Sequence, residues 1–221
     1  MLFAAGFGTR MGTLTEHRPK PLIEVAGTAL LDHALMQRGG AGITRTVVNV
    51  HYKAQMIRDH LAGQDISISD ESGTILETGG GLKKALPLLG AGPAFTMNTD
   101  AVWKGSNPLQ TLLASWNPDS MDALLLCVDP QRAIGHDSAG DFTLLPDGQI
   151  TRGPGLIYTG AQIIKAELAA DIDDDAFSLN VLWNAIGGRR RLHGVQYDGH
   201  WCDVGHPEGI AMAEAMLADH V

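Results

Sequence analysis

Near its N-terminus the chain runs Phe3-Ala4-Ala5-Gly6-Phe7-Gly8-Thr9-Arg10-Met11, and a lysine held between prolines, Pro19-Lys20-Pro21, follows soon after. A short apolar strand thus feeds straight into a glycine-rich loop. Glycines let backbone N–H groups come close to a phosphate. Arg10 can fork onto phosphate oxygens, and Lys20 adds a compact positive charge. Together these residues read as a triphosphate grip. Other glycine loops fit less well. A dinucleotide loop, G-x-G-x-x-G, would need glycine where Met11 stands, and no acidic residue closes the second strand at Asn49-Val50-His51. The string G-x-x-x-x-G-K-[ST] does not occur. The plain alternative is a tight turn between strand and helix, which Gly6 and Gly8 alone would satisfy.

With 221 residues, 44% of them hydrophobic, the chain can build a core without disulfides or metal staples. Cys127 and Cys202 are far apart and lack metal-ligand spacing, and Cys127 sits in an apolar run. A net charge of −9 argues against nucleic acid as partner, although Arg10, Arg18 and Lys20 concentrate positive charge in one stretch. No apolar run reaches the length of a membrane span and no basic-then-apolar leader is present, so the expectation is a cytoplasmic enzyme without a membrane partner.

Strand and helix alternate along the first part. Strands are expected at residues 1–5, 45–49, 66–69, 94–97 and 123–128. Helices are expected at 29–38, 53–62, 80–86 (stopped by Pro87) and 108–116, the last capped by Asn107 with Pro108 first. This β-α-β series predicts a parallel sheet flanked by helices. After Asp129 the pattern changes: a hairpin at 142–151, a strand at 156–164, a helix at 178–186, a strand at 191–197 and a closing amphipathic helix at 207–220. No linker divides the chain. The reading is one domain over 1–221 in two halves of different pattern, 1–129 and, on mixed strands, 130–221. The acid run at 171–175 reads as a solvated loop.

Asn98-Thr99-Asp100 directly follows an expected strand, which sets Asp100 at the carboxyl end of the sheet beside the glycine loop. Mg²⁺ takes one or two carboxylates plus phosphate oxygens. Asp203 is the candidate second carboxylate. The bland readings are a capping aspartate at 100 and a strand-end turn residue at 203.

With these motifs the chain resembles the sugar-1-phosphate nucleotidylyltransferases. It is most like the small bacterial N-acetylmuramate-1-phosphate uridylyltransferases of peptidoglycan recycling. The likeness runs nearly end to end and includes Leu76-Glu77-Thr78-Gly79-Gly80-Gly81, Asn98-Thr99-Asp100, Tyr158-Thr159-Gly160 and His200-Trp201-Cys202-Asp203-Val204-Gly205. It implies a Rossmann-like nucleotide-diphospho-sugar transferase fold of the α/β class, with a mixed, mostly parallel central sheet. It implies a nucleotide-binding half at 1–129 and a sugar-phosphate-binding half at 130–221, UTP and a sugar 1-phosphate as partners, Mg²⁺ as cofactor on Asp100 and Asp203, and Arg10 and Lys20 as catalytic residues. Ala5, Gly6, Gly8, Thr9, Arg10 and Lys20 would bind the nucleotide. The turn at Glu77, Thr78 and Gly79 would read uracil through bare backbone, with Glu71 adding a side chain. Sugar candidates are Asn98, Thr159, Gly160 and Asn180, and Gly140 by its backbone; Asn49 and Trp183 are helpers. A lactyl carboxylate would favour a cation such as Arg152 or Arg132. The chain departs from the family at Thr13 and at Ser178-Leu179-Asn180, which replaces a segment that often carries lysine.

The implied reaction is attack by a sugar 1-phosphate oxygen on the α-phosphorus of UTP, expelling pyrophosphate. The attacking phosphate is mostly dianionic at neutral pH, so no activated Ser, Cys or His is required, and the nine histidines, His51 included, are read as surface or structural. Competing readings are transfer from another nucleotide or to another sugar, and a non-catalytic nucleotide-sugar-binding regulator. A glycosyltransferase would carry Asp-x-Asp where Asn98-Thr99-Asp100 stands. A monomer or small homo-oligomer is expected.

Overall fold

The computed structural model describes residues 1–219, so the His220 end of the expected closing helix lies outside the described residues. In chain order the elements are β1 (Leu2–Phe3), β2 (Glu24–Val25), β3 (Thr28–Ala29), α1 (Leu30–Met36), β4 (Val47–Val50), α2 (Ala54–His60) and β5 (Ser67–Asp70). Then come α3 (Glu77–Leu89), β6 (Pro93–Asn98), β7 (Ala101–Lys104), α4 (Pro108–Ser115), β8 (Ala123–Val128), β9 (Ala133–Ile134), β10 (Phe142–Leu144) and β11 (Ile150–Arg152). The chain closes with β12 (Ile157–Lys165), α5 (Leu179–Gly188), β13 (Leu192–Tyr197), β14 (His200–Asp203) and α6 (Glu208–Ala218).

A seven-stranded sheet in the order β13-β8-β12-β6-β1-β4-β5 forms the centre. Every pairing in it is parallel except those of β12, which runs against both β6 and β8. The fold is therefore the mixed, mostly parallel α/β sheet expected. Strand β8 explains the layering. Leu124, Leu126 and Val128 enter one apolar layer with α1, α2 and α4, while Ala123, Leu125 and Cys127 enter another with α3 and α5. A strand covered on both faces reads as a continuous apolar run, as this one does. Cys127 is fully buried, which pushes its thiol well above the usual range. Asn107 caps α4 as expected, accepting from the N–H groups of Leu109 and Gln110.

A smaller sheet, β7-β14-β9, sits beyond the carboxyl end of β6. Residues Val102, Cys202 and Val204 pack there on Ala213 and Met216 of α6, with Met11 of the glycine loop buried among them. The sequence reading places no strand at β7 or β14. Their register decides the site: Asp203 of β14 lies opposite Ala101 of β7.

Two expectations about α3 are corrected. The helix is not stopped by Pro87 but carries it inside and ends at Leu89, with Gly90 at φ 83°. The proline falls in the last turn, where little helix remains to be broken, and the helix is held by buried Leu82 and Ala85. The helix also starts earlier than residue 80, taking in Glu77 and all three glycines.

Candidate active site

The carboxyl ends of β1, β4 and β6 and the first turn of α3 flank an open cleft of about 260 Å³. Its lining includes Lys20 and Pro21 and, around the start of α3, Ile75, Leu76, Glu77 and Thr78. Ala5 and Gly6 line the cleft, and the side where a Cβ would stand at Gly6 is open space. Gly8 has a different reason to be glycine. Its φ is 66°, and a Cβ there would lie 2.7 Å from Lys20 Cβ. The loop therefore closes directly over the lysine. Met11 N–H and the Thr15 hydroxyl both donate to Gly8 O, at 2.9 and 3.2 Å.

Lys20 is buried, and its Nζ donates to Asp100 Oδ2 at 2.9 Å. Beside this pair, Val204 N–H donates to Asp100 O at 2.8 Å, locking β14 to the turn that carries Asp100. Gly205 completes the arrangement: a Cβ there would lie 3.1 Å from Asp203 Oδ2 and 3.2 Å from Arg10 Nη1. Arg10, Lys20, Asp100 and Asp203 thus form one charged end, with Thr9 exposed next to Arg10. Burial, and then Asp100, raises the Asp203 carboxyl above its usual range against the pull of Lys20, Arg10 and His136. His136 Nδ1 lies 3.8 Å from Asp203 Oδ2. Arg18 does not join; it reaches Glu24 at 3.9 Å and Leu22 O.

The other end of the cleft is apolar at the lip and polar at the back. Phe7 and Ile75 stand exposed, and Phe7 meets the rings of His51 and Tyr52 at 5.2 and 5.6 Å. Behind them Glu71 is buried, and burial raises its carboxyl above the usual range against the hydrogen bond from Asn49. Asn49 donates to Glu71 Oε1 at 2.8 Å and accepts from Ala4 N–H at 2.7 Å, so it ties Glu71 to the glycine strand.

The triple glycine serves packing within the chain. Gly79 and Gly80 N–H both donate to Phe177 O, at 2.8 and 3.0 Å. A Cβ at Gly79 would strike the Phe177 ring, one at Gly80 the Asp175 carbonyl, and one at Gly81 the Glu71 carboxylate. These glycines let the 175–177 segment and Glu71 pack against α3, and Gly79 has no free donor for a base. Of this turn, Leu76, Glu77 and Thr78 line the cleft, with Glu77 in the left-handed region at φ 58°.

The sugar candidates scatter. Asn98 lines the cleft, and Gly160 sits behind it at the irregularity in β12, where a Cβ would lie 2.9 Å from the Asn98 side chain. Thr159 is buried, and its hydroxyl donates to Leu126 O at 2.6 Å inside the sheet. Gly140 packs on the Gly155 backbone and its N–H donates to Ser138 Oγ at 3.2 Å, so it offers no free donor. Asn180 holds Ser178 Oγ at 2.9 Å and accepts from Arg152. Trp183 Nε1 donates to Gln162 Oε1 at 2.9 Å within the core. Sequence reasoning missed Phe7, His51 and Ile75 as cleft residues. Phe7 stood between two glycines already singled out, whereas His51 and Ile75 carried no signal.

Among the described residues no three His, Cys, Asp or Glu side chains are grouped to hold a metal. Two carboxylates converge, and the donor set fits a hard cation that completes its shell with phosphate oxygens and water.

The MobA-like NTP transferase domain family matches residues 1–216. The chain belongs to that family. It is 41% identical to the N-acetylmuramate alpha-1-phosphate uridylyltransferase of Caulobacter vibrioides, over 99% of this chain and 96% of that protein. It is 34% identical to the enzyme of the same name from Neisseria meningitidis, over 98% and 96%. HddC from Yersinia pseudotuberculosis, solved with GMP-PN, shares the fold at TM-score 0.77 and 20% identity, over 98% of this chain and 97% of that one. No helix of the described residues is long and apolar enough to cross a membrane.

Proposed function

We propose that this protein transfers the uridylyl group of UTP to N-acetylmuramate 1-phosphate, releasing pyrophosphate, as a cytoplasmic, Mg²⁺-dependent step of peptidoglycan recycling. Full-length likeness to the two uridylyltransferases supports the substrates. One observation carries the chemistry: Lys20 and Asp100 in contact at 2.9 Å, with Arg10 and Asp203 gathered around Gly205 beside them. Two cations and two carboxylates at a strand end suit a triphosphate and its cation, and exceed what binding of a neutral ligand needs.

Residues 1–129 hold the nucleotide and residues 130–221 complete the sugar-phosphate side. Arg10 and the amides of the Gly6–Gly8 stretch hold the β- and γ-phosphates. Asp100 keeps Lys20 pointed into the cleft until substrate arrives, and Lys20 then neutralises charge developing on the α-phosphoryl group. Asp100 and Asp203 would hold Mg²⁺, which supplies charge neutralisation and alignment of the attacking and α-phosphates. The Phe7–Ile75 lips flank the uracil ring, while Glu71 and the backbone at 76–78 meet its polar edge. Asn98, backed by Gly160, faces the sugar. No general base is needed, because the attacking phosphate is already ionised; positioning and charge carry the rate.

Incubation with UTP, Mg²⁺ and a panel of sugar 1-phosphates, followed by pyrophosphate release and mass analysis, tests the proposal. UDP-N-acetylmuramate should form faster than UDP-glucose. Preference for glucose 1-phosphate would overturn the sugar assignment, and absence of pyrophosphate with every pair would overturn the transfer itself.

A further inference from the structure

The sugar side holds a cation that the transfer chemistry leaves unused. The Arg152 guanidinium lies 4.5 Å over the Phe142 ring and 5.4 Å from the Trp183 ring. Its Nη2 donates to Asn180 Oδ1, a neutral acceptor. Among the described residues it forms no ion pair; the acid that acts on it, Asp141, is held instead by Tyr158 N–H at 2.9 Å. Partial burial pulls the guanidinium below its usual range, against Asp141. A guanidinium stacked on rings keeps its donor edge fixed and free for a planar anion.

This shelf joins the cleft on two routes. Asn180 lies in the first turn of α5, where Leu179 N–H donates to the hydroxyl of cleft-lining Thr78 at 3.0 Å. The Tyr158 ring meets Trp183 at 4.9 Å, and Gly160 just beyond Tyr158 supports cleft-lining Asn98. Arg132, the other cation named from sequence, is engaged with Asp198 O.

We propose that Arg152 is a specificity residue that takes the carboxylate of an acidic sugar 1-phosphate, here the lactyl ether carboxylate of N-acetylmuramate. This rests on the uridylyltransferase reading above. The fork of a stacked arginine pairs a carboxylate through two parallel N–H bonds, and a neutral sugar offers it no such partner. Selection then comes from a charge outside the reacting groups, which alters which sugar is held and not how phosphate attacks.

The test compares wild type with Arg152→Met and Arg152→Lys, on N-acetylmuramate 1-phosphate and on N-acetylglucosamine 1-phosphate, which lacks the lactyl group. Two ratios are read: that of kcat/KM for the two sugars with UTP, and that of the affinities for UDP-N-acetylmuramate and UDP-N-acetylglucosamine by calorimetry. Arg152→Met should lower both ratios about 10- to 100-fold, and Arg152→Lys should recover part of the loss. Unmoved ratios, or an equal loss on both sugars, would overturn the assignment. If wild type released no pyrophosphate with either sugar, the transfer reading would fail, and the ratio of product affinities would still decide Arg152.

Discussion

Two clusters of acids and cations sit at opposite ends of the central sheet, and they are built differently. At the amino end of β8, Asp122 is clamped by Lys165 Nζ and Arg191 Nε, each at 2.8 Å. Burial pushes its carboxyl up, but the two cations outweigh this and hold it below the usual range. That cluster is closed, with one acid satisfied twice and three neighbouring strands tied together. At the carboxyl end, Asp203 is raised, because burial and Asp100 outweigh Lys20, Arg10 and His136. That cluster is open. Lys20 and Asp100 pair there, but Asp203 is left raised beside them, which costs stability and leaves capacity for a ligand. The contrast teaches that a buried ion pair marks function by what it leaves unpaired.

Substitution sharpens the contrast. Asp203→Asn and Asp100→Asn should each lower kcat at limiting Mg²⁺ by on the order of 10³-fold or more, since the cation loses half its protein charge. Asp203→Asn should do so without loss of stability, because the native state already disfavours that charge; a urea titration alongside the kinetics checks both. Normal turnover at limiting Mg²⁺ would remove that residue from the cation site.

Lys20→Ala should lower kcat and kcat/KM together, by roughly 10²–10³-fold. A raised KM with near wild-type kcat would mean that Lys20 only binds.

Asp122→Asn should do the reverse, leaving kcat intact while costing about 1–3 kcal/mol of stability, less than a fully buried pair because both cations keep some water. The sign with pH follows from its lowered carboxyl. Asp122 contributes stability above the usual aspartate range, and that contribution is lost as pH falls through its lower native pKa. Acid titration of unfolding should therefore be flatter in Asp122→Asn than in wild type.

The smallest effect is expected from Gly80→Ala. A Cβ there would lie 2.1 Å from Asp175 O, so the 175–177 segment must shift, costing about 1–2 kcal/mol in urea unfolding with little change in UTP affinity. A loss confined to UTP affinity would restore the bare-backbone reading of the glycine run.

The charged end was legible because its residues lie on short local strings. Gly8, Arg10 and Lys20 stand within one loop, and Asp100 lies in the turn directly after β6. That Asp203 meets Asp100 was not legible, since a pairing between β7 and β14, separated by roughly a hundred residues, brings them together. The sugar side was harder still. Thr159, Gly140 and Asn180 have the residue types that bind sugars, yet their polar groups are spent on Leu126, Ser138, Ser178 and Arg152. Polarity in a sequence does not say whether a group is already satisfied. The glycine run is ambiguous for a related reason: close packing against Phe177 and close approach to a ligand demand the same residue.

The measurement that tests the account most directly is kcat/KM for UTP against CTP, with one sugar 1-phosphate and fixed Mg²⁺. Cytosine replaces the uracil carbonyl at position four with an amine and removes the neighbouring N–H, leaving groups at Glu71 and residues 76–78 unpaired. UTP should be favoured at least about 100-fold. Equal rates with the two nucleotides would contradict the claim that this end of the cleft selects uridine while the charged end transfers it.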